Sequence, residues 1–498
     1  MNRNLKFLLT WCWLISVCVQ TSAMEAGAAK VDITRDEPGP AHDRLHARAV
    51  VLREGDQHLV IISVDAVAIG EIGPIGNDYL STVRSAIEAE WKIPPQNVAV
   101  NASHCHGIVC TDVAERTIEA VRVAWSRLEP VRTGTGRGHE NRIMENRRLI
   151  MKDGSTIDVR HAYSMPPDQD VQSVGPIDPD VGILRLDRLD GRPLAVLYNF
   201  ACHPIQGVPG GGNTADMTGY SSKVIEETLG NDAVALFIQG CAGDINPRFY
   251  KDVDHPRDAE PFGNMLGLST LKAWRQISPT EDHRLKVVQQ QLELPRADTA
   301  ERILALEAER DRLLRTLKGT TLSLKTFLPL IVKQKLNEDF PSYYSHAYLH
   351  EDAIGRSDLR HLDADNKRNL ERYIQNIQTM EQLTRIQTNL ALLQKHQAHY
   401  VRTGKRTLDV ELLAFRIGDF VMTTFPGELT VQIGLNLKQA SPHPSTFIAG
   451  YTNGYIYYAP TSEQLKNPGS AQEDCDCLLA PDWQPIYEQA ALKLLRQL

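Results

Sequence analysis

Short apolar runs rich in β-branched residues alternate along this chain with amphipathic stretches, and this alternation limits the folds that the chain can adopt. The runs RAVVLRE and HLVIISVD, joined by the polar turn Gly55-Asp56, predict a β-hairpin. NDYLSTVRSAIEAEW then has the apolar spacing of a helix, VAVNASHCH that of a strand, and DVAERTIEAVRVAWSRL again that of a helix. The pattern predicts an α/β fold with a layered, mixed sheet.

The same pattern continues and is then interrupted. Further strands are predicted at VGILRLDR, LAVLYNFACH and AVALFIQGC, with a helix in GYSSKVIEETLG. Residues 297–406 are rich in Leu, Glu, Arg, Gln and Lys and lack strand signals, so we predict a long helical insertion there. Strands resume at TLDVELLAFRIGDFVMTTF, where Gly418-Asp419 predicts a hairpin turn. Residues 24–296 and 407–498 are therefore expected to form one domain.

Residues 1–23 have the composition of a signal peptide. The basic start MNRNLK precedes the apolar run FLLTWCWLISVCV, and Thr21-Ser22-Ala23 supplies the small residues of a cleavage site. An uncleaved anchor is the alternative, but the run is shorter than the roughly 20 residues needed to span a bilayer. We expect an exported protein, periplasmic or secreted.

Charge and apolar patterning bear on the partners of the protein. The formal net charge is −8, and no block of Lys and Arg tracks phosphates, which argues against nucleic acid as a partner. Within the insertion, KGTTLSLKTFLPLIVKQKL has an apolar cluster from Phe327 to Val332 flanked by lysines. Such a segment can make peripheral contact with a membrane. Packing of this cluster on the rest of the protein is the alternative.

Histidines follow two of the predicted strands. In NASHCHG, His104 and His106 are two residues apart, so in an extended strand both would face one cleft at its carboxyl end. In NFACHPIQG, His203 ends another apolar strand, and Pro204 terminates that strand. A histidine is often a hydrogen-bonded residue of the protein core, and the pair His104 and His106 alone would be weak evidence. Imidazoles at the ends of two strands, however, predict a metal site.

Two loops supply further candidate site residues. In VPGGGNTADMTGY, Asp216 could orient a ligand histidine or cap the following helix. In IQGCAGDINPRFY, the polar side chains of Asp244, Asn246 and Arg248 follow a third strand. The Gly-Asp and Asn-Pro pairs are also ordinary turn sequences, so a structural role for this loop stays open.

These motifs carry a resemblance to a known family. NASHCHG, NFACHP, TADMTGY, QGCAGDINP, FPGE and GYTNGYIYYAPT occur in the order seen in neutral/alkaline ceramidases, which are zinc amidases that cut the N-acyl bond of ceramide. The chain resembles this family from Ala29 to Arg296 and from Thr407 to Glu488. The resemblance implies an exported Zn²⁺-dependent hydrolase that cleaves an amide, or an ester, of a small-molecule or lipid-like acylated substrate.

The resemblance also implies roles for individual residues. His106 would stabilise an oxyanion or move a proton, and Asp216, Arg248 and Tyr455 would orient the polar part of the substrate. Tyr455 and Tyr457 stay open as alternatives for the tyrosine ligand. The implied zinc ligands are His104, His203, Glu428 and Tyr458.

Two departures from the family pattern predict a changed substrate. Asn246 stands where ceramidases have a catalytic serine, and its amide could donate a hydrogen bond to an oxyanion but cannot act as that nucleophile. About forty residues follow the tyrosine cluster, so we expect no counterpart of the family's C-terminal immunoglobulin-like domain. Three alternatives stay open: an authentic ceramidase, a non-catalytic zinc-containing periplasmic binding protein, and an unrelated α/β protein whose histidines are hydrogen-bonded core groups.

Overall fold

The computed structural model describes residues 23–37, 41–159, 166–230, 232–250, 252, 254–342, 344–466 and 471–498. The predicted signal peptide lies outside the described residues, apart from its last residue.

The strands of the described ranges are short, and most of them belong to two large sheets. In chain order they are β1 Glu25–Asp32, β2 His46–Glu54, β3 Gln57–Val64, β4 Val98–Ala102, β5 Glu129–His139, β6 Met144–Asn146, β7 Arg148–Met151, β8 Thr156–Asp158, β9 Val171–Val174, β10 Asp180–Arg188, β11 Pro193–Phe200, β12 Val234–Gln239, β13 Ile245–Pro247, β14 Leu285–Pro295, β15 Thr407–Ile417, β16 Phe420–Thr424, β17 Glu428–Leu429, β18 Thr446–Ala449 and β19 Tyr458–Ala459.

The helices are distributed between the sheets and one long interval of the chain. They are α1 Tyr79–Trp91, α2 Val113–Ser126, α3 Asp216–Leu229, α4 Ala259–Trp274, α5 Ala300–Thr316, α6 Leu324–Leu336, α7 Ser345–Ala353, α8 Asp358–Thr403, α9 Val431–Ala440, α10 Ser462–Leu465 and α11 Trp483–Leu495. Among the described residues, none of these helices has both the length and the apolar composition needed to cross a membrane.

Eight strands form a mixed sheet in the order β12-β11-β10-β5-β1-β2-β3-β4. The pairs β3 with β4 and β11 with β12 are parallel, and the other neighbours are antiparallel. A second sheet has the order β14-β15-β16-β18. The predicted hairpins are β2 with β3 and β15 with β16. The predicted α/β fold with a mixed sheet is therefore confirmed.

Alternating side chains bury both faces of each large sheet. In β3, Leu59 and Ile61 belong to the core between the two sheets, whereas Val60 and Ile62 pack with α1 and α2 on the other face. α3 and α4 cover the part of the same sheet formed by β10 to β12. In β15, Phe415 faces the central core, while α9 and α11 pack on the outer face of the second sheet. The layers therefore run helix, sheet, sheet, helix.

A long helical interval separates two neighbouring strands. β14 and β15 pair antiparallel along their whole lengths, from Leu285 with Ile417 to Pro295 with Thr407. Between them lie α5 to α8, and α8 alone has 46 residues. Leu313 of α5 packs against Leu390 of α8, so the interval has a small core of its own.

The contact between β1 and α2 gives a test of the layered packing. A Cβ added at Gly27 would lie 2.0 Å from the carbonyl oxygen of Ala124, which is backbone and cannot rotate away. We expect Gly27→Ala to lower the free energy of unfolding by about 1–3 kcal/mol, as overpacked cores do. Urea unfolding followed by fluorescence measures this.

Gly319→Ala is the matched control, because no heavy atom lies within 4 Å of its added Cβ. Its free energy of unfolding should stay within about 0.5 kcal/mol of the original. Equal stabilities of the two variants would contradict the close contact.

Candidate metal centre

The ends of several strands meet at one cleft of about 400 Å³. His104 follows β4, His203 follows β11, and Glu428 begins β17. The Cα partner of Glu428 in the parallel pair of β17 and β19 is Tyr458. Since β4 and β11 have parallel neighbours, the cleft lies where the carboxyl ends of those strands open, as ligand sites of α/β sheets do.

His104 and His106 reach the cleft by another route than the one predicted. β4 ends at Ala102, so the two histidines do not share a strand face. His104 instead has a left-handed backbone, with φ of 68°, and its N–H donates to the carbonyl of Ala66 at 2.9 Å. The turn leaves the two ring centroids 5.6 Å apart, with His104 buried and His106 exposed in the cleft.

Three buried side chains converge in a metal-ligand arrangement. One nitrogen or oxygen atom from each of His104, His203 and Glu428 lies within 4.8 Å of the other two. His203 Nε2 is 3.1 Å from Glu428 Oε2, and His104 Nε2 is 3.6 Å from Glu428 Oε1. Among the described residues this is the one such group of histidine, cysteine and acidic side chains.

The orientation of both imidazoles fits a metal ligand. His104 Nδ1 lies 2.6 Å from the carbonyl oxygen of Val67, and His203 Nδ1 lies 3.0 Å from that of Ile245. Because a carbonyl oxygen only accepts, each Nδ1 carries a proton, and Nε2 is the ring nitrogen that faces Glu428 and that would bind an ion. Two imidazole nitrogens and one carboxylate are a donor set that suits zinc.

Glu428 is the acidic member of the cluster and is 1% exposed. Burial by itself would raise the pKa of its carboxyl group, but the facing imidazoles of His104 and His203 and the hydrogen bond from Tyr455 hold that pKa well below its usual range. The hydroxyl group of Tyr451 also donates to Glu428, at 3.1 Å. The carboxylate is therefore ionised and ready to bind a cation.

The tyrosine cluster is divided between two contacts. The hydroxyl groups of Tyr451 and Tyr455 bind Glu428, whereas that of Tyr458 accepts a hydrogen bond from Arg147 Nη2 at 3.3 Å. Both Tyr455 and Tyr458 line the cleft. The assignment of Tyr458 as a zinc ligand stays a prediction, and Tyr455 has the direct contact with the acidic ligand.

Two of the predicted site residues lie outside the cleft lining. Asn246 is buried in β13, and its amide oxygen accepts a hydrogen bond from Arg147 Nη1 at 2.9 Å. Arg248 is exposed, and its guanidinium lies 4.6 Å from the centroid of the Phe249 ring. The side chain that does line the cleft beside Asn246 is Arg147. The roles predicted for Asn246 and Arg248 stay predictions.

Asp216 lines the cleft and also binds backbone groups, and its predicted role in orienting the substrate stays a prediction. Its carboxylate accepts hydrogen bonds from the N–H groups of Gly207, at 2.6 Å, and of Met217, at 2.7 Å, in the first turn of α3. The N-cap position of α3 is Ala215, which makes no side-chain cap hydrogen bond, so Asp216 is the first residue of the helix and not its cap. Burial raises the pKa of Asp216 to about 6, against the lowering effect of these bonds.

Several residues that line the cleft belong to none of the sequence motifs that predict the site. Arg147 is buried and pairs with Glu473 at 2.5 Å, in the acidic loop QEDCDC. Lys395 of α8 and Arg257 also line the cleft. The adjacent arginines of NRRLI precede the short apolar run Leu149–Met151 and are a possible signal, because a buried arginine needs a carboxylate partner.

The backbone around the cleft is locally strained. Nine non-glycine residues in the described ranges have a left-handed backbone, with φ between 51° and 68°. Five of the nine lie in the motifs that form the site: His104, Asp216, Tyr451, Asn453 and Tyr457. Such conformations cost about 1–3 kcal/mol each and persist only where surrounding contacts hold them. Their concentration here indicates a functional cleft.

The layered sheets and the buried His-His-Glu cluster define an α/β protein with a candidate metal centre. No protein-family model matches the chain, and no curated protein sequence matches it either. Among solved structures, the neutral ceramidase from Pseudomonas aeruginosa is similar, with a TM-score of 0.60 and 17% identity over 96% of this chain and 75% of that one. A second solved structure, a ceramidase complexed with C2, is similar with a TM-score of 0.59 and 16% identity over 95% of this chain and 75% of that one. The chain thus has a ceramidase-like fold, as its motifs predict.

The raised pKa of Asp216 predicts a pH-dependent difference in stability. Because the folded-state pKa lies above the ordinary 3.8, the folded protein binds this proton more tightly, and the contribution to stability falls as pH rises from about 4 to about 6. The side chain of the Asp216→Asn variant cannot ionise. We therefore compare the free energy of unfolding of the original protein with that of the variant at each pH. The difference, original minus variant, should fall by at most about 3 kcal/mol between pH 4 and pH 7. Urea unfolding at both pH values measures this, and a difference that is constant or rises would contradict it.

Proposed function

We propose that this protein is a zinc-dependent hydrolase that cleaves an amide, or an ester, of an acylated substrate. The observation that carries the proposal is the buried cluster of His104, His203 and Glu428, with both imidazoles held by backbone carbonyls. The likeness in fold to two ceramidases supports an amide as the bond that is cut.

The residues of the cleft divide the work of such a reaction. His104, His203 and Glu428 would hold zinc, which when bound supplies a Lewis acid and makes water nucleophilic near neutral pH. His106 is exposed in the cleft and would move a proton to the leaving amine. Arg147 fixes the Tyr458 hydroxyl by a hydrogen bond.

A lipid-like substrate is favoured by an exposed apolar face on α6. Four residues spaced four apart point outward and are 53–80% exposed: Leu324, Leu328, Val332 and Leu336. On another side of the helix, Phe327 is buried and stacks on Tyr373 of α8, with ring centroids 4.5 Å apart. The predicted apolar cluster therefore packs through Phe327 and leaves the other side exposed.

This face, which we call the α6 face, fits the surface of an anionic membrane. Lys325 and Lys335 are exposed on the same helix. At 100° per residue, both fall within the arc of the four apolar residues. Lysines among exposed leucines suit a surface with apolar chains below and anionic headgroups above. We propose that the insertion holds the protein at a membrane that contains its acylated substrate. Ceramide itself is the alternative to an otherwise acylated substrate.

Zinc content and turnover test the metal assignment together. We expect about one zinc per chain in the purified protein, and near zero in His203→Ala, because that variant loses one of two imidazole ligands. Turnover of a fluorogenic N-acyl amine should fall by at least about 100-fold in the variant. Elemental analysis and the assay use the same sample.

His139→Ala is the matched control, since His139 is exposed on β5 away from the cleft. A His203→Ala protein with full zinc and turnover would overturn the assignment. Full zinc in the original protein without turnover of any amide or ester, but with saturable binding of such compounds, would favour the binding-protein alternative. Adding N-acyl sphingosine to the panel separates a ceramidase from an enzyme with a changed substrate.

Membrane contact is tested with the paired change Leu328→Glu and Val332→Glu. Both carboxylates would have to enter the apolar part of the membrane, which opposes binding of the α6 face. We therefore expect co-sedimentation with vesicles of phosphatidylglycerol and phosphatidylcholine to fall by at least about tenfold. Leu268→Glu is the control, because Leu268 is equally exposed, at 59%, but lies on α4. Equal sedimentation of all three proteins would refute the contact.

A further inference from the structure

The helical insertion contributes one side chain to the lining of the cleft, and that side chain carries a positive charge. Lys395 of α8 is among the lining residues. α8 is held in place beside it, because His396 Nε2 lies 2.8 Å from Asp476 Oδ1. From α5, Arg302 donates to the carbonyl of Asp474 at 2.7 Å. α8, which carries Lys395, and the neighbouring α5 are thus both bonded to the loop that contains Asp474 and Asp476.

Lys395 lies next to the strand that pairs with the acidic ligand. Its Nζ donates to the Tyr457 hydroxyl at 3.1 Å and lies 4.6 Å from the centroid of that ring. The carbonyl of Tyr457 accepts a hydrogen bond from the N–H of Glu428 at 2.9 Å. Tyr457 therefore contacts both the ammonium group of Lys395 and the backbone of Glu428, one of the candidate metal ligands.

The cations of the cleft differ in how their charge is balanced. Arg147 is paired with Glu473. Arg257 instead lies 4.7 Å over the ring of Tyr250, and Lys395 lies against Tyr457, so each faces a neutral ring. In the part of the chain that the structure describes, no ion pair includes Arg257 or Lys395. The carboxylates that line the same cleft have other partners: His203 for Glu428, backbone N–H groups for Asp216, and His396 for Asp476. The charges of Arg257 and Lys395 are thus the ones left for an anionic ligand.

We propose that the substrate carries an anionic group, a carboxylate or a phosphonate-like group, on its amine half, and that Lys395 and Arg257 bind it. The inference rests on the proposed function and names the substrate class of that site. The apolar side chains of Val67, Ile72 and Ile205 also line the cleft and suit the acyl chain. The favoured substrate is therefore an N-acylated amino acid or its phosphonate analogue rather than a neutral amide.

Matched substrates test the charge requirement. N-dodecanoylglycine and N-dodecanoylaminomethylphosphonate are anionic, whereas N-dodecanoylglycinamide has nearly the shape of the first and no charge. The original protein should cleave at least one anionic compound with kcat/KM about tenfold or more above that of the glycinamide, a ratio that one partly exposed charge pair can supply. The two anionic arms distinguish carboxylate from phosphonate recognition.

In Lys395→Gln, the ratio of kcat/KM for the anionic compound to kcat/KM for the glycinamide should be about tenfold lower than in the original protein, mainly through KM. Lys395→Arg keeps the positive charge and should keep most of the original ratio. Lys367→Gln is the matched control, because it removes the same charge from an exposed position elsewhere on α8 and should leave every rate unchanged. A ratio that is the same in Lys395→Gln and the original protein, or an original protein that prefers the glycinamide, would overturn the proposal.

Binding to the metal-free protein separates this proposal from the proposed function. Calorimetry with N-dodecanoylglycine should give a Kd about tenfold higher for Lys395→Gln than for the original protein. If no compound is cleaved but this difference is found, the proposed hydrolase fails and the anion site stands. Equal Kd values for the two proteins would refute the anion site, whether or not any amide is cleaved.

Discussion

The ionised carboxylate of Glu428 is the interaction on which the rest of the cleft depends. A charge that is 1% exposed costs several kcal/mol unless partners surround it. Here the partners are the imidazoles of His104 and His203 and the hydroxyl groups of Tyr451 and Tyr455. They come from separate segments of the chain, so the ends of β4 and β11 and the start of β17 have to meet at one place. β4 and β11 belong to the eight-stranded sheet, whereas β17 pairs with β19 in a small sheet of its own.

Local sequence patterns predicted the elements and part of the site. The hairpin of β2 and β3 was predictable because both faces are buried and its residues are β-branched. His104 and His203 were found because each follows an apolar strand. Glu428 could not be found in this way, since FPGE is too short to show a period, and the resemblance to ceramidases was the signal that pointed to it.

Other features depend on contacts between distant segments, for which a single sequence carries no signal. The pairing of Arg147 with Glu473 and the contact of Lys395 with Tyr457 are of this kind. The prediction that His104 and His106 share a strand face was wrong for a local reason. β4 ends at Ala102, and the left-handed turn at His104 sets the direction of both side chains.

The pairing of β14 with β15 has a consequence for how this chain could change over time. Pro295 and Thr407 are Cα partners, so the insertion leaves and re-enters the sheet at one point. Lengthening a loop from a few residues to about a hundred costs only about 3 kcal/mol of closure entropy. A sandwich with this much packing can tolerate that cost. The helices can therefore vary while β14 and β15 keep their register, and a change in them would reach the cleft through Lys395 of α8.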